Sequence, residues 1–262
     1  MSIKSIAKYI SLLALGFVFV ASTAYAAIGF DQSEGNQNVN LTNVNLSVTV
    51  TSTQSNLLLV FKVFGEKSTA LNVSGITYNG VALTKLYATT TPTTNSSTWQ
   101  IWYLVNPATG THNSTTTFST TASSYGICAE SYYGVNQTTP FDTSNGAYVN
   151  ATTTVSTTLT TTLANEWITS FAGDNGPAGS GIVNPAPGSG DTSSCSFNTG
   201  GLHFGAAYRS IPTAQTTSTQ WIQGTSTWYG MAAGAIEPTS PAVAPNNQIA
   251  GNVQITGNVV IQ

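Results

Sequence analysis

The sequence predicts an all-β fold, an antiparallel β-sandwich or jelly roll of about a dozen short strands. Three observations carry that expectation. Beyond residue 27 helical periodicity is nearly absent, and apolar residues recur at every second position instead. Thr, Val, Tyr and Trp dominate those stretches, and their branched or flat side chains pack well on a pleated surface. Clusters of Gly, Pro and Asn interrupt them at short intervals, as turns require.

Met1 to Ala26 reads as a secretory signal peptide that is cleaved. Lys4 and Lys8 supply a positive start, Tyr9 to Ala21 an apolar run, and Ala24-Tyr25-Ala26 the small residues at the cleavage site. The apolar run falls short of the roughly 20 residues that span a bilayer. Val44, Leu46, Val48 and Val50 then alternate with polar residues, and Leu57 to Phe64 is an apolar strand interrupted only by Lys62. Asn79-Gly80 joins Ile76-Thr77-Tyr78 to Val81-Ala82-Leu83 as a hairpin, because a type I′ turn needs two positive φ angles. Thr98 to Val105 is a strand, stopped by Asn106-Pro107-Ala108-Thr109-Gly110, and Thr111 to Phe118 follows. Further strands are expected over Tyr125–Tyr133, Thr152–Leu163, Glu166–Ala172, Leu202–Arg209, Thr217–Gln223 and Ser226–Ile236.

Two segments break the rhythm. Gly173 to Gly201, rich in Gly, Pro, Ser and Asn, reads as one long loop. At the C-terminus a Pro-rich linker leads to a segment with a six-residue echo, Ile249-Ala250-Gly251-Asn252-Val253 and then Ile255-Thr256-Gly257-Asn258-Val259. The echo is even-numbered, so on a strand Ile249, Val253, Ile255, Val259 and Ile261 share one face. Such a strand either folds onto its own sheet edge, frays, or adds to the sheet of another copy. The organisation expected is a signal peptide at 1–26, a β-sandwich domain at 27–237, a linker at 238–247 and an amphipathic strand tail at 248–262.

Charge is scarce. The chain of 262 residues has six basic and nine acidic side chains, where an ordinary domain has about a quarter of its residues charged. Nucleic-acid binding needs a Lys/Arg stripe to displace counterions, and none is present. The 5 Trp, 11 Tyr and 10 Phe nevertheless give a core to bury, unlike a disordered chain of equally low charge. After export Cys128 and Cys195 can form one disulfide, although spacing alone does not place them together.

Several blocks together resemble an uncharacterised extracellular β-sandwich domain of secreted bacterial proteins. They are Asn56-Leu57-Leu58-Leu59-Val60, Gly75 to Thr84, Ile101 to His112, and Tyr133 to Pro140, with Ala206-Ala207-Tyr208-Arg209 and Trp228 to Pro238 fitting the same pattern. The resemblance implies a lectin-like or jelly-roll sandwich with no assigned catalytic residues. It also bears on Glu130. Gly126, Cys128, Glu130 and Tyr132 share one strand face, and hydropathy, which we follow, sends Glu130 to solvent. The resemblance instead matches Tyr132 to a bulky apolar position and turns Glu130 inward.

No Gly-x-Ser-x-Gly elbow, phosphate-binding loop or zinc-protease motif is present, so no enzyme is expected. A thiol triad of Cys128, His203 and Asp174, or a glycosidase pair of Glu130 and Asp174, is selected by no motif. His112 and His203 lack zinc-ligand spacing. Calcium would have only Asp174, Asn175 and Asp191 in the long loop, so no cofactor is expected and plain turn chemistry leads. Aromatic rings can stack on sugars, and Trp99 and Trp221 are the indoles expected at the surface, whereas Trp102 is expected in the core. The reading is a secreted, extracellular or cell-surface protein (or a periplasmic one) that is non-catalytic. Its expected partner is a polysaccharide or cell-surface component. The alternative is a structural subunit that docks onto another copy of itself through its C-terminal strand, and a secreted hydrolase comes third.

Overall fold

The computed structural model describes residues 27–51, 53–67, 69–91, 96–176, 182–183, 190–199 and 202–240. The signal peptide expected at 1–26, most of the linker and the whole tail at 248–262 lie outside the described residues. Those described are all-β and antiparallel, in two sheets.

The first sheet takes the N-terminal half. Its strands are β1 (Gly29–Val50), β2 (Leu58–Lys67), β3 (Val73–Tyr78), β4 (Val81–Ala82), β5 (Thr84–Thr90), β6 (Ser96–Val105) and β7 (Gly110–Tyr133). Its order is β4-β3-β7-β2-β6-β5, with β1 paired along β7 from Gly29↔Tyr133 to Val50↔Gly110. The β3–β4 hairpin turns at Asn79-Gly80, both at positive φ (48° and 77°), as the sequence predicts. The second sheet takes the C-terminal half with β8 (Phe141–Thr160), β9 (Glu166–Asn175), β10 (Ile182–Val183), β11 (Thr192–Thr199), β12 (Leu202–Ile211) and β13 (Thr216–Ile236). Its order is β10-β13-β9-β12-β11, with β8 paired along β13.

These two paths are the same path. Apart from β4, replacing β1, β2, β3, β5, β6 and β7 by β8, β9, β10, β11, β12 and β13 converts the first sheet into the second. The sequence carries the repeat at the positions the geometry constrains. Phe30-Asp31-Gln32-Ser33-Glu34-Gly35 opens β1, and Phe141-Asp142-Thr143-Ser144-Asn145-Gly146 opens β8. Asn56 and Asn165, at φ 61° and 62°, precede β2 and β9. Tyr125-Gly126-Ile127-Cys128-Ala129 on β7 answers Tyr229-Gly230-Met231-Ala232-Ala233 on β13. Asp31 Oδ2 accepts the Thr51 N–H at 3.0 Å, and Asp142 Oδ2 accepts the Thr162 N–H at 2.7 Å, so each long strand closes on its own exit in the same way.

Each half folds over itself. The β1–β7 ladder jumps between Leu41↔Ala122 and Asn43↔Thr117, and the β8–β13 ladder between Ile222↔Thr154 and Thr227↔Thr152. Extra residues on one strand bend the pair. Beyond each bend the distal part of the long pair lies over the outer face of its own sheet. Val44, Val48, Val73, Ile76 and Phe118 therefore share a cluster with Leu59, Phe61 and Val63 of β2. Val155, Leu159 and Trp221 cover Ile168, Ala172 and Ala233 in the same way. A third cluster lies between the two sheets, where Leu58, Val60, Phe64, Trp99 and Tyr132 meet Phe171, Phe204, Ala206 and Ile236. Leu57 to Phe64 reads as an apolar run broken only at Lys62 because both faces of β2 are covered.

The contacts between halves come in reciprocal pairs, the mark of a two-fold interface. Phe30 stacks on Tyr208 at 4.3 Å, and Phe141 packs on Tyr103 at 5.3 Å. Phe204 sits against Gly126 and Trp99 against Gly230, where any Cβ would fall within 3 Å of the ring. Phe197 lies against Gly35 and Tyr87 against Gly146 in the same manner. The long loop expected over Gly173 to Gly201 is corrected. β9 runs on to Asn175, because Gly173 is the strand position on which Phe64 packs and not a loop glycine, and the two residues of β10 and the eight of β11 also fall within the expected loop.

Candidate functional site

The densest chemistry lies between the halves. β2 aims Lys62 and β7 aims Glu130 into the central layer, where both are fully buried. Lys62 Nζ meets Glu130 Oε1 at 2.5 Å and also donates to the Ala207 carbonyl at 3.2 Å. Ser194 donates to the same Oε1. Tyr132 donates to Oε2, and Thr169 donates to Oε2 at 2.9 Å. Four donors around one carboxylate let a full charge sit in a dry interior. Burial pulls the Lys62 amine below the ordinary lysine range, and the Glu130 charge opposes that pull. Burial, and then the Glu130 charge, push the Tyr132 phenol well up, so it remains a proton donor. Glu130 is thus a correction to the hydropathy reading. The face it shares with Cys128 and Tyr132 points at the second sheet, not at solvent, and Lys62 supplies the partner that buried Glu needs.

Beside this group Cys128 on β7 and Cys195 on β11 are joined as a disulfide across the two halves. Cys128 lies opposite Lys62 in register, so staple and ion pair share one spot.

A second polar group lies inside the C-terminal half. Asp174 Oδ1 meets His203 Nδ1 at 2.6 Å, and Gln223 donates to Asp174 Oδ2. All three are buried. Asp174 and His203 do meet, but on the opposite face of the second sheet from Glu130, and Cys128 is consumed in its disulfide. Neither the thiol triad nor the glycosidase pair assembles.

The residues expected to bind ligand are not at the surface. Trp99 is 1% exposed and donates to the Gly173 carbonyl at 2.9 Å, and Trp221 is fully buried and faces Ser170 Oγ at 3.3 Å. Both expectations of exposure are corrected. Trp99 lies in the layer between the two sheets, and Trp221 lies on the face of distal β13 that covers its own sheet. Asp191 pairs with Arg209 at 3.4 Å, and the Asn175 side chain lies outside what is described. Asp174 and Asp191 therefore serve protein partners, and no group of three or more His, Cys, Asp or Glu that could hold a metal occurs among the described residues. The assembly residues Ile249, Val253, Ile255, Val259 and Ile261 lie outside the described residues.

At the surface two features stand out. An open polar groove of about 530 Å³ is lined by Thr77, Asn79, Gly80, Thr111, His112, Asn113 and Thr115. The second is the pair of long edges. Among the described residues β1 joins only β7 and β8 only β13, and neither strand contains Lys, Arg or Pro. Asp31, Glu34 and Asp142, their acidic residues, are turned to the backbone N–H groups of Thr51, Thr49 and Thr162. The large apolar side chains most exposed on these edges are Val39 (51%), Leu41 (39%) and Tyr148 (40%). The sequence showed the absent charge but not which strands would be edges.

No family model matches the chain, and no curated protein matches it.

Proposed function

We propose that this is a secreted or surface-displayed, non-catalytic β-sandwich of the jelly-roll kind that serves as a structural subunit and joins other copies of itself by strand addition. One observation carries the reading: β1 and β8 are long edges without the lysines and prolines that normally blunt an edge. The echo at 248–262 offers a second uncharged strand to add to such an edge. Export is supported by the leader-like start and by a disulfide, a bond that persists in oxidising compartments. Electron microscopy of the full mature chain beside one lacking residues 246–262 tests the reading. Assemblies that shorten or vanish on truncation are expected. Monomers in both samples at high concentration would defeat it.

A second reading, binding of a polysaccharide or cell-surface component, is favoured by the groove at His112, whose hydroxyl and amide lining suits a polyhydroxylated ligand. A glycan array on wild type and Asn113→Ala tests it, and binding unaffected by Asn113→Ala, or absent altogether, would remove it.

A further inference from the structure

We propose that Lys62 and Glu130 condense to an intramolecular amide, a covalent rung between β2 and β7 in the layer between the halves. This stands independently of the assembly reading. The amine and the carboxyl are already in contact at 2.5 Å, and both are sealed from solvent.

Their surroundings fit the product as well as the reactants. Oε2, which would stay as the amide carbonyl, already accepts from Tyr132 and Thr169. The one remaining N–H already has its acceptor, the Ala207 carbonyl at 3.2 Å. Oε1, the leaving oxygen, faces Lys62 and the partly exposed Ser194 hydroxyl, which opens an exit toward solvent. In the step the Lys62 Nζ–Glu130 Cδ bond forms and the Cδ–Oε1 bond breaks. Of the three ammonium protons two pass to Oε1, directly or through Ser194, and leave with it as water, while the third stays on nitrogen. No oxidant or co-reactant is needed. Burial favours the neutral amide over two separated charges, and the lowered basicity of Lys62 favours the free amine that attacks.

The repeat supplies an independent argument. Lys62 lies in register with Cys128, and Phe171 with Ala232; Val60 lies opposite Glu130, and Thr169 opposite Gly234. The C-terminal half therefore fills these places with Phe171 and Gly234. The topology does not require an ion pair here, so a buried lysine and glutamate call for another reason to be present.

Intact mass of the full mature chain, after reduction and denaturation, is the test. The account predicts a mass about 18 Da below the sequence value, one water. It also predicts a proteolytic fragment in which the Lys62 and Glu130 peptides remain joined. The Lys62→Phe/Glu130→Gly variant, which copies the other half, should fold and show the full mass. A wild-type chain at full mass, or a missing water that maps to any other pair, would overturn the proposal.

Discussion

The two halves share one strand path yet bury their Lys62–Glu130 and Asp174–His203 pairs on opposite faces. In the N-terminal half Phe61, Phe118 and Gly65 occupy three places in its own core, where Gln100 is also buried against Thr98 and Trp102, and Lys62 and Glu130 lie in the layer between halves. In the C-terminal half the register puts Ser170, Gln223 and Asp174 at those three core places, with His203 where the first half has Thr98. Its side of the central layer is Phe171, Phe204 and Gly234. The backbone design therefore tolerates either choice at either site. Neither buried polar group is needed to specify the fold, and each is costly unless fully partnered.

Exchanging residues between equivalent places tests this most severely. Lys62→Met leaves Glu130 buried without its counter-charge and should cost about 3–5 kcal/mol in denaturant unfolding. Lys62→Phe with Glu130→Gly removes both charges and should be more stable than the single variant by about 2 kcal/mol or more. If the double variant is as weak as the single one, the halves are not interchangeable here. Next in size is the bond between halves. Cys128 and Cys195 are 67 residues apart, and replacing both by Ala should cost about 4 kcal/mol by loop entropy.

A smaller effect distinguishes the halves by pH. Burial, more than the nearby Asp142 charge, raises the Glu166 carboxyl to about 7, against the pull of N–H donors from Leu163 and Thr162. The equivalent place in the first half is Leu57, since Glu166 precedes Trp167 as Leu57 precedes Leu58, and those two strands hold the same register. With a raised folded pKa the native state holds a proton that the unfolded chain releases. Glu166 therefore contributes stability fully below pH about 4.5 and loses it as pH rises through about 7. The loss should be on the order of 2 kcal/mol across that window. Glu166→Leu should flatten the profile, and an unchanged slope would move the titration to another group.

The all-β, antiparallel character was legible in the sequence because it depends on local signals: period-two runs, β-branched residues and the Asn79-Gly80 turn. The duplication was not, because loops of unequal length shift the spacing between equivalent residues. What persists is a scatter of positions that geometry constrains. Gly126 and Gly230 make room for Phe204 and Trp99, and Asn56 and Asn165 adopt positive φ. The candidate site was illegible for a related reason. Alternation along β7 correctly grouped Cys128, Glu130 and Tyr132, but only the packing of one half on the other and of each distal hairpin on its sheet shows that both faces of β7 are covered over Tyr125–Tyr132. Lys62 showed only as a break in an apolar run, which was the one local signal of a buried ionic partner.

The repeat gives the assembly proposal a discriminating form, since β1 and β8 are equivalent edges. Sedimentation of the chain from residue 27 onward should be compared with Val39→Lys, Tyr148→Lys and the double variant. The account predicts extended assemblies for wild type, fewer or shorter ones when one edge carries lysine, and monomers when both do. A wild-type chain that remains monomeric at high concentration, or assemblies indifferent to lysine on both edges, would contradict it.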